Sequence, residues 1–340
     1  MPPLPIEPPQ ELRERREASR RETRRHRFQA AGLIALVFVT VGAILLGDLW
    51  GIQAGPSAGE TQTTASHHPA ADASDHGYAT SSSPATATGS ASATVGGRAG
   101  PGKTAVPILM YHVIAAPPPG APFPGLYVEP SEFAAQMQAL KNAGWHAVTL
   151  DQVQAYWQHG VPLGPGKPIV VSFDNGYQSQ YTQALGVLRR LGWIGDENIQ
   201  LTGLPPSQGG LSQAQVRGLV AAGWELDTQG ISHADLITLD ATQLNDQVAV
   251  ARRIVQQRYH VPVNWFCYPS GHYDETVIAA VKSAGFVGST TVVPGWAHPS
   301  EDRFRLHRLR VLGGTSPSAL LAQIADIRDD PPAPASYNGA

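Results

Sequence analysis

From Val106 onward the chain alternates short apolar runs with segments whose apolar positions recur every three or four residues. The run Val106-Pro107-Ile108-Leu109-Met110-Tyr111 predicts a buried first strand. A helix follows from Ser131, with Phe133, Met137 and Leu140 on one face, Ser131 as cap and Gly144 as terminator. Residues 145–150 read as the second strand and residues 169–173 as the third. A helix over residues 181–191 turns Leu185 and Leu188 inward, and strand-like residues 198–201 precede a helix from Ser212 through Val216, Leu219 and Val220. The alternation continues with a strand at 224–226, a helix from Thr242 through Leu244, Val248 and Val255, and a strand at 265–268. A helix at 274–284, strands at 286–290 and 309–312, and a helix through Leu320 and Ile324 complete it. About seven strand–helix units predict an α/β fold, either a parallel barrel or a close relative. A doubly wound open sheet gives the same alternation.

The N-terminal part follows a different pattern. Eight arginines (13, 15, 16, 20, 21, 24, 25 and 27) crowd residues 13–27, and residues 30–47 then carry no charge. A helix over that stretch spans roughly 27 Å, close to the ~30 Å hydrocarbon core of a bilayer. Phe28 and Trp50 flank it as interfacial aromatics, so residues 1–27 are expected in the cytoplasm and residues 28–50 across the membrane. A cleaved signal peptide is the competing reading, disfavoured by the length of the apolar run and the weak Ile52-Gln53-Ala54 site. Residues 51–104, rich in Ala, Ser, Thr, Gly and His, read as a disordered linker before an outer domain at 105–328. Residues 329–340, which include Asp330-Pro331-Pro332-Ala333-Pro334, are expected to fray.

Net charge is −3, which gives no reason to expect a nucleic-acid partner. The single cysteine, Cys267, excludes an internal disulfide and reads as a small buried hydrophobe.

Polar side chains gather where the strands end. Asp174 and Asn175 follow the third strand; Asp227, Thr228, Gln229 and His233 follow the strand at 224–226. Tyr268, Pro269, Ser270, Gly271 and His272 follow the strand at 265–268, and Trp296 lies beyond the next. In a barrel all would face one mouth, where sites are built. Each has a plainer explanation alone, since Asx-Gly and Pro-Ser-Gly are common turns.

Taken together, these segments resemble the polysaccharide deacetylases of the NodB-homology type, carbohydrate esterase family 4. The resemblance runs over about residues 106–327. It rests on Leu109-Met110-Tyr111-His112, on Ser172-Phe173-Asp174-Asn175-Gly176-Tyr177 and on the stretch from Gly223 to His233. It continues through Phe266 to Asp274 and Arg308-Leu309-Arg310-Val311. It implies a distorted NodB-type (β/α) barrel that hydrolyses acetamide bonds of an envelope polysaccharide or peptidoglycan. By the same resemblance Asp174 is the general base and His233 a metal ligand. Tyr268, Pro269, Gly271 and Trp296 are candidate sugar contacts, and zinc is the implied metal.

The departures are as informative. Asn175 and Gln229 stand where the family has a ligand Asp and a ligand His. Amide oxygens are weak zinc ligands beside imidazole, thiolate and carboxylate. Cys267 stands where relatives carry an arginine that assists the base, and His307 where they carry a proline. The family's general-acid histidine has no clean counterpart. His112, Asp227 and His272 are candidate substitute ligands. Three functions are therefore open: a membrane-tethered deacetylase with an altered metal site, a glycan-binding module that has lost hydrolysis, and metal-free hydrolysis by Asp174 and His233.

Overall fold

β1 (Ile108–Tyr111) is buried along its whole length and pairs in parallel with β3 (Lys167–Asn175), Tyr111 opposite Phe173. In the computed structural model, which describes residues 100–202, 209–328 and 331–339, these strands centre a parallel sheet. β2 (Trp145–Ala147) pairs with the start of β3. β4 (Asp196–Ile199), β5 (Glu225–Thr228), β6 (Trp265–Cys267) and β7 (Gly288–Thr290) extend the sheet on one side, β8 (Leu309–Arg310) on the other. The segment leading into β8 meets both ends of that row. Leu306 N–H donates to the Ser289 carbonyl at 3.0 Å, and three residues later Leu309 pairs with Leu109 of β1. The sheet thus curls towards closure, as the expected NodB-type barrel requires.

Strand alternation then sorts side chains into two sets. Outward-facing Leu109, Tyr111, Val171 and Phe173 pack with Phe133, Met137 and Leu140 of α1 (Pro130–Asn142). Leu320 and Ile324 of the last helix, Pro317–Asp326, join them. Inward-facing Ile108, Val170, Trp265 and Leu306 pack with Val153 and Trp157 of α2 (Leu150–His159). Above that apolar floor the inner face turns polar.

Several boundaries differ from the sequence pattern. The second strand stops at Ala147, and Leu150 opens α2, which apolar spacing alone did not reveal. Its signal was a capping box: Thr149 Oγ1 accepts from Gln152 N–H at 3.2 Å, and Gln152 Oε1 accepts from Thr149 N–H at 3.0 Å. α1 begins with Pro130 at its first turn and Glu129 as cap, so Ser131 lies inside the helix. β4 starts two residues early and hides Asp196, Glu197 and Asn198. Asp196 Oδ2 accepts from Leu150 N–H and Glu225 Oε2 from Asp151 N–H, both at 2.9 Å, so two carboxyls sit on the α2 N-terminus. The C-terminal tail is not frayed where it is described: Tyr273 and Tyr337 exchange two backbone hydrogen bonds of 2.9 Å. The expected transmembrane segment and linker lie outside the described residues. Among the described residues no helix is long and apolar enough to cross a membrane.

Glu197 is fully buried, with the Gly176 backbone N–H beside its carboxyl. Burial first, then the negative charge of Asp174, raise its pKa well above the ordinary carboxylate value. The folded carboxyl therefore keeps its proton to higher pH than the unfolded one. Its contribution to stability is present at acid pH and is lost as pH rises through the folded value. Glu197→Gln should raise the thermal midpoint at about pH 8 and leave it nearly unchanged at about pH 4, where both states are largely protonated. Equal shifts at both pH values would show that Glu197 is ionised in the fold.

Candidate functional site

Asp174 is the last inward-facing residue of β3, and its row across the sheet continues to Asn198 of β4 and Asp227 of β5. It is 1% exposed. Arg308, delivered by the segment that bridges β7 and β1, grips it in a fork: Nη1 donates to Oδ1 at 2.7 Å and Nη2 to Oδ2 at 2.8 Å. Asn198 Nδ2 donates to Oδ1 at 2.9 Å, and the Cys267 thiol approaches Oδ2 at 3.6 Å. All four acceptor directions of the carboxylate are thereby engaged.

Arg308 is as completely bound. Besides the two bonds to Asp174, Nη1 donates to Ser172 Oγ at 3.3 Å and Nη2 to Cys267 Sγ at 3.2 Å. Nε donates to the Thr291 carbonyl at 2.8 Å, so all five N–H groups have acceptors. Burial opposes the Asp174 charge, but the charge and hydrogen bonds of Arg308, with help from His112 and Asn198, outweigh it. They hold the carboxyl at about 2. The same pairing raises the Arg308 pKa against the effect of burial. Burial pushes the Cys267 thiol up to about 12, so it stays protonated. The sequence reading thus missed the main partner of Asp174. A charged residue in the apolar frame Leu306-His307-Arg308-Leu309, on the inward parity, was the available signal.

Asn175 and Gln229 are tied into an amide network rather than aimed at a common centre. Asn175 has φ of 79°, a left-handed conformation that asparagine tolerates. Its N–H donates to Gln229 Oε1 at 3.0 Å, and its Nδ2 donates to Gln200 Oε1 at 2.9 Å. Gln229 Nε2 donates to Cys267 Sγ at 3.1 Å, and Gln200 Nε2 to the Thr202 carbonyl at 2.6 Å. Gln200, absent from the sequence reading, is the third amide of this network.

His112 and His233 complete the surroundings. His112 Nε2 lies 4.0 Å from Asp174 Oδ2. Burial pushes its pKa down to about 4, although Asp174 pulls the other way, so the ring is neutral at pH 7. His233 is half-buried at φ of 52°, and burial lowers its pKa as well.

These residues do not fit the zinc that the resemblance implies. The donor set at the three ligand positions is one imidazole and two carboxamides, and the Gln229 oxygen already accepts from Asn175 N–H. Of the candidate substitutes, His112 remains beside Asp174, while the other two are engaged elsewhere. His272 Nδ1 pairs with Asp235 at 3.0 Å, and Asp227 Oδ1 accepts from Asn264 and Trp265 N–H. Among the described residues no three His, Cys, Asp or Glu side chains converge as a metal cage requires.

The expected sugar contacts are corrected in part. Tyr268 has no exposed surface; its hydroxyl donates to the Phe304 carbonyl at 2.9 Å, and its ring packs against Phe266 and Tyr273. Trp296 packs edge-on against Trp145 and donates Nε1 to the Ile324 carbonyl at 2.8 Å, which commits it to the last helix. Both rings were placed at the mouth from strand order alone, which cannot tell an inner from an outer face after a turn. Pro269 and Gly271 form a buried 3-10 turn; a Cβ on Gly271 would come within 2.2 Å of Val292, so the turn demands glycine.

Residues 163–289 match the family described as Polysaccharide deacetylase. YxkH of Bacillus subtilis (strain 168), a candidate polysaccharide deacetylase, is 27% identical over 224 residues, 66% of this chain and 77% of its own. A poly-beta-1,6-N-acetyl-D-glucosamine N-deacetylase of Escherichia coli (strain K12) is 35% identical over 66 residues, 19% of this chain and 10% of that protein. Among solved structures, a candidate polysaccharide deacetylase of Bacillus anthracis superposes with a TM-score of 0.58 at 25% identity, covering 65% of this chain and 69% of that one. The fold is shared with the Streptococcus pyogenes deacetylase PplD, solved with acetate, at a TM-score of 0.60 and 24% identity over 66% of this chain and 99% of that one.

Proposed function

This chain belongs to the polysaccharide deacetylase family, and on that premise we propose that it binds N-acetylated polysaccharide of the cell envelope without metal-assisted hydrolysis. One observation carries the reading. Two of the three metal-ligand positions, Asn175 and Gln229, are carboxamides already committed to neighbours: the Gln229 side chain to the Asn175 backbone N–H and to Cys267, the Asn175 side chain to Gln200. The floor of the site is nearly closed, with Asp174 at 1%, Gln229 at 2% and Asn175 at 7% exposure. A sugar would therefore rest on the His112 and His233 side chains at the rim above it. The basic segment at 13–27 and the uncharged stretch at 30–47 support tethering to the membrane, with the domain facing outward to reach such a polymer.

Asp174 illustrates what the geometry retains and what it lacks. An ionised carboxylate beside two imidazoles has the charge of a general base. Yet a base with a pKa of about 2 and every acceptor direction occupied takes a proton from water poorly. A second reading, slow deacetylation by Asp174 with His233, is favoured only by the proximity of that carboxylate to the open rim.

The deciding experiment incubates the full chain with N-acetylglucosamine oligomers and with peptidoglycan, measuring retention and released acetate together. Retention on the glycan with no acetate above background is expected. Acetate release that disappears in Asp174→Asn would establish the second reading, and retention by neither glycan would end the first.

A further inference from the structure

His307 follows Leu306 on the strand segment that delivers Arg308, yet its ring turns away from Asp174 and is 3% exposed. Nδ1 lies 2.6 Å from Glu301 Oε2, and Nε2 lies 3.0 Å from the Pro331 carbonyl oxygen. Carboxylate and carbonyl oxygens are acceptors, and a neutral imidazole has a single N–H to offer them. Both contacts are met together only when both ring nitrogens carry protons. Glu301 is oriented for its part, because its other oxygen accepts from His298 N–H at 3.0 Å.

We infer that His307 is held as an imidazolium and acts as a latch that fastens the C-terminal strap, residues 331–339, to the loop feeding Arg308. The strap continues from Pro331 through further fastenings. Arg305 Nη1 donates to the Ala333 carbonyl at 3.3 Å, and the Tyr273 hydroxyl to the Pro334 carbonyl at 2.8 Å. Beyond these, Tyr337 pairs with the Tyr273 backbone and lies beside His272, ring centroids 6.4 Å apart. His272 is bonded to Asp235, two residues from His233. The strap therefore links the loop that carries Arg308 to the loop that carries His233, and a change at His307 reaches both sides of the candidate site.

Among the described residues, the other titratable groups facing the His307 cleft, a space of about 470 Å³, are His298, Asp302 and Arg305. Asp302 and Arg305 are paired at 3.2 Å, and His298 Nε2 lies 3.4 Å from the Arg328 carbonyl. Arg308, next in the chain, is spent on Asp174. Among the described residues Glu301 supplies a counter-charge to His307, at 2.6 Å. Removal of one ring proton leaves either Glu301 or Pro331 facing a lone pair, and the near end of the strap loses its anchor.

The test uses the full chain labelled with nitrogen-15 at histidine, with hydrogen-exchange protection of residues 331–339 followed across pH. One histidine should carry two ring protons at neutral pH, and strap protection should fall as that ring deprotonates. His307→Phe should lower protection by about tenfold or more at neutral pH, the scale of a lost charge-assisted hydrogen bond, and abolish its dependence on this titration. Glu301→Gln, which keeps the packing and removes the counter-charge, should shift the midpoint to lower pH. A His307 ring with one proton throughout, or strap protection that ignores pH in the unsubstituted chain, would overturn the latch. Both readings come from the unsubstituted chain, so they stand even where His307→Phe does not fold.

Discussion

Arg308→Met is expected to destabilise the domain by about 3–5 kcal/mol, because it leaves the Asp174 carboxylate buried without its counter-charge. The guanidinium supplies two of the four hydrogen bonds to Asp174 and also holds Ser172 and Cys267. Methionine matches part of the volume and none of these donors. The Asp174 pKa should then climb from about 2, since the opposing effect of burial remains. The loss should therefore be largest above the ordinary carboxylate pKa and shrink as pH falls. Asp174→Asn in the same chain should recover part of the loss, because a neutral amide needs no counter-charge. Urea unfolding of the two single variants and the double variant measures the coupling. A loss below about 1 kcal/mol for Arg308→Met would place Arg308 among surface-type pairs, against its complete burial.

The second large effect concerns the metal positions. Asn175→Asp with Gln229→His adds a carboxylate and an imidazole beside His233, a ligand set of the kind zinc takes. Gln200 can turn its amide so that Nε2 donates to the new carboxylate in place of the present Nδ2 donation. Zinc affinity should increase by more than the ~10–100-fold that outer-shell partners alone control, because two direct ligands are gained. At free zinc of ~100 times the dissociation constant, the double variant should gain ~2.7 kcal/mol of stability. The unsubstituted chain should gain almost none at that concentration. Competition with a chromophoric chelator, run beside thermal unfolding, reads both quantities. Equal zinc affinity in the two proteins would show that the carboxamide network is no obstacle to the metal.

Much of this arrangement is readable in the chain. Apolar periodicity located nearly every strand and helix of the domain, since burial on one face imposes a period of two or of 3.6. It missed α2, where the signal lies in the Thr149–Gln152 capping box rather than in apolar spacing. It also misplaced the start of β4, because Asp196, Glu197 and Asn198 look like loop residues. Asp196 is accommodated by the α2 N-terminus and Asn198 by the inner polar layer. Motif order pointed to Asp174, Asn175, Gln229 and His233 as neighbours, and the structure brings Asn175 and Gln229 into direct contact.

What the chain by itself determined is the type of group at each strand end: one carboxylate, two amides, one imidazole, and hence the poverty of the metal donor set. Local chemistry decides that, and side-chain identity is enough. What only the tertiary structure decided is how those groups are used. Arg308 lies 134 positions from Asp174, and it reaches the carboxylate because the segment before β8 joins both edges of the curled sheet. The burial of Tyr268 and the strap fastened at His307 depend likewise on closure between segments far apart in sequence. Such contacts follow from the global packing of the sheet, which no local pattern encodes.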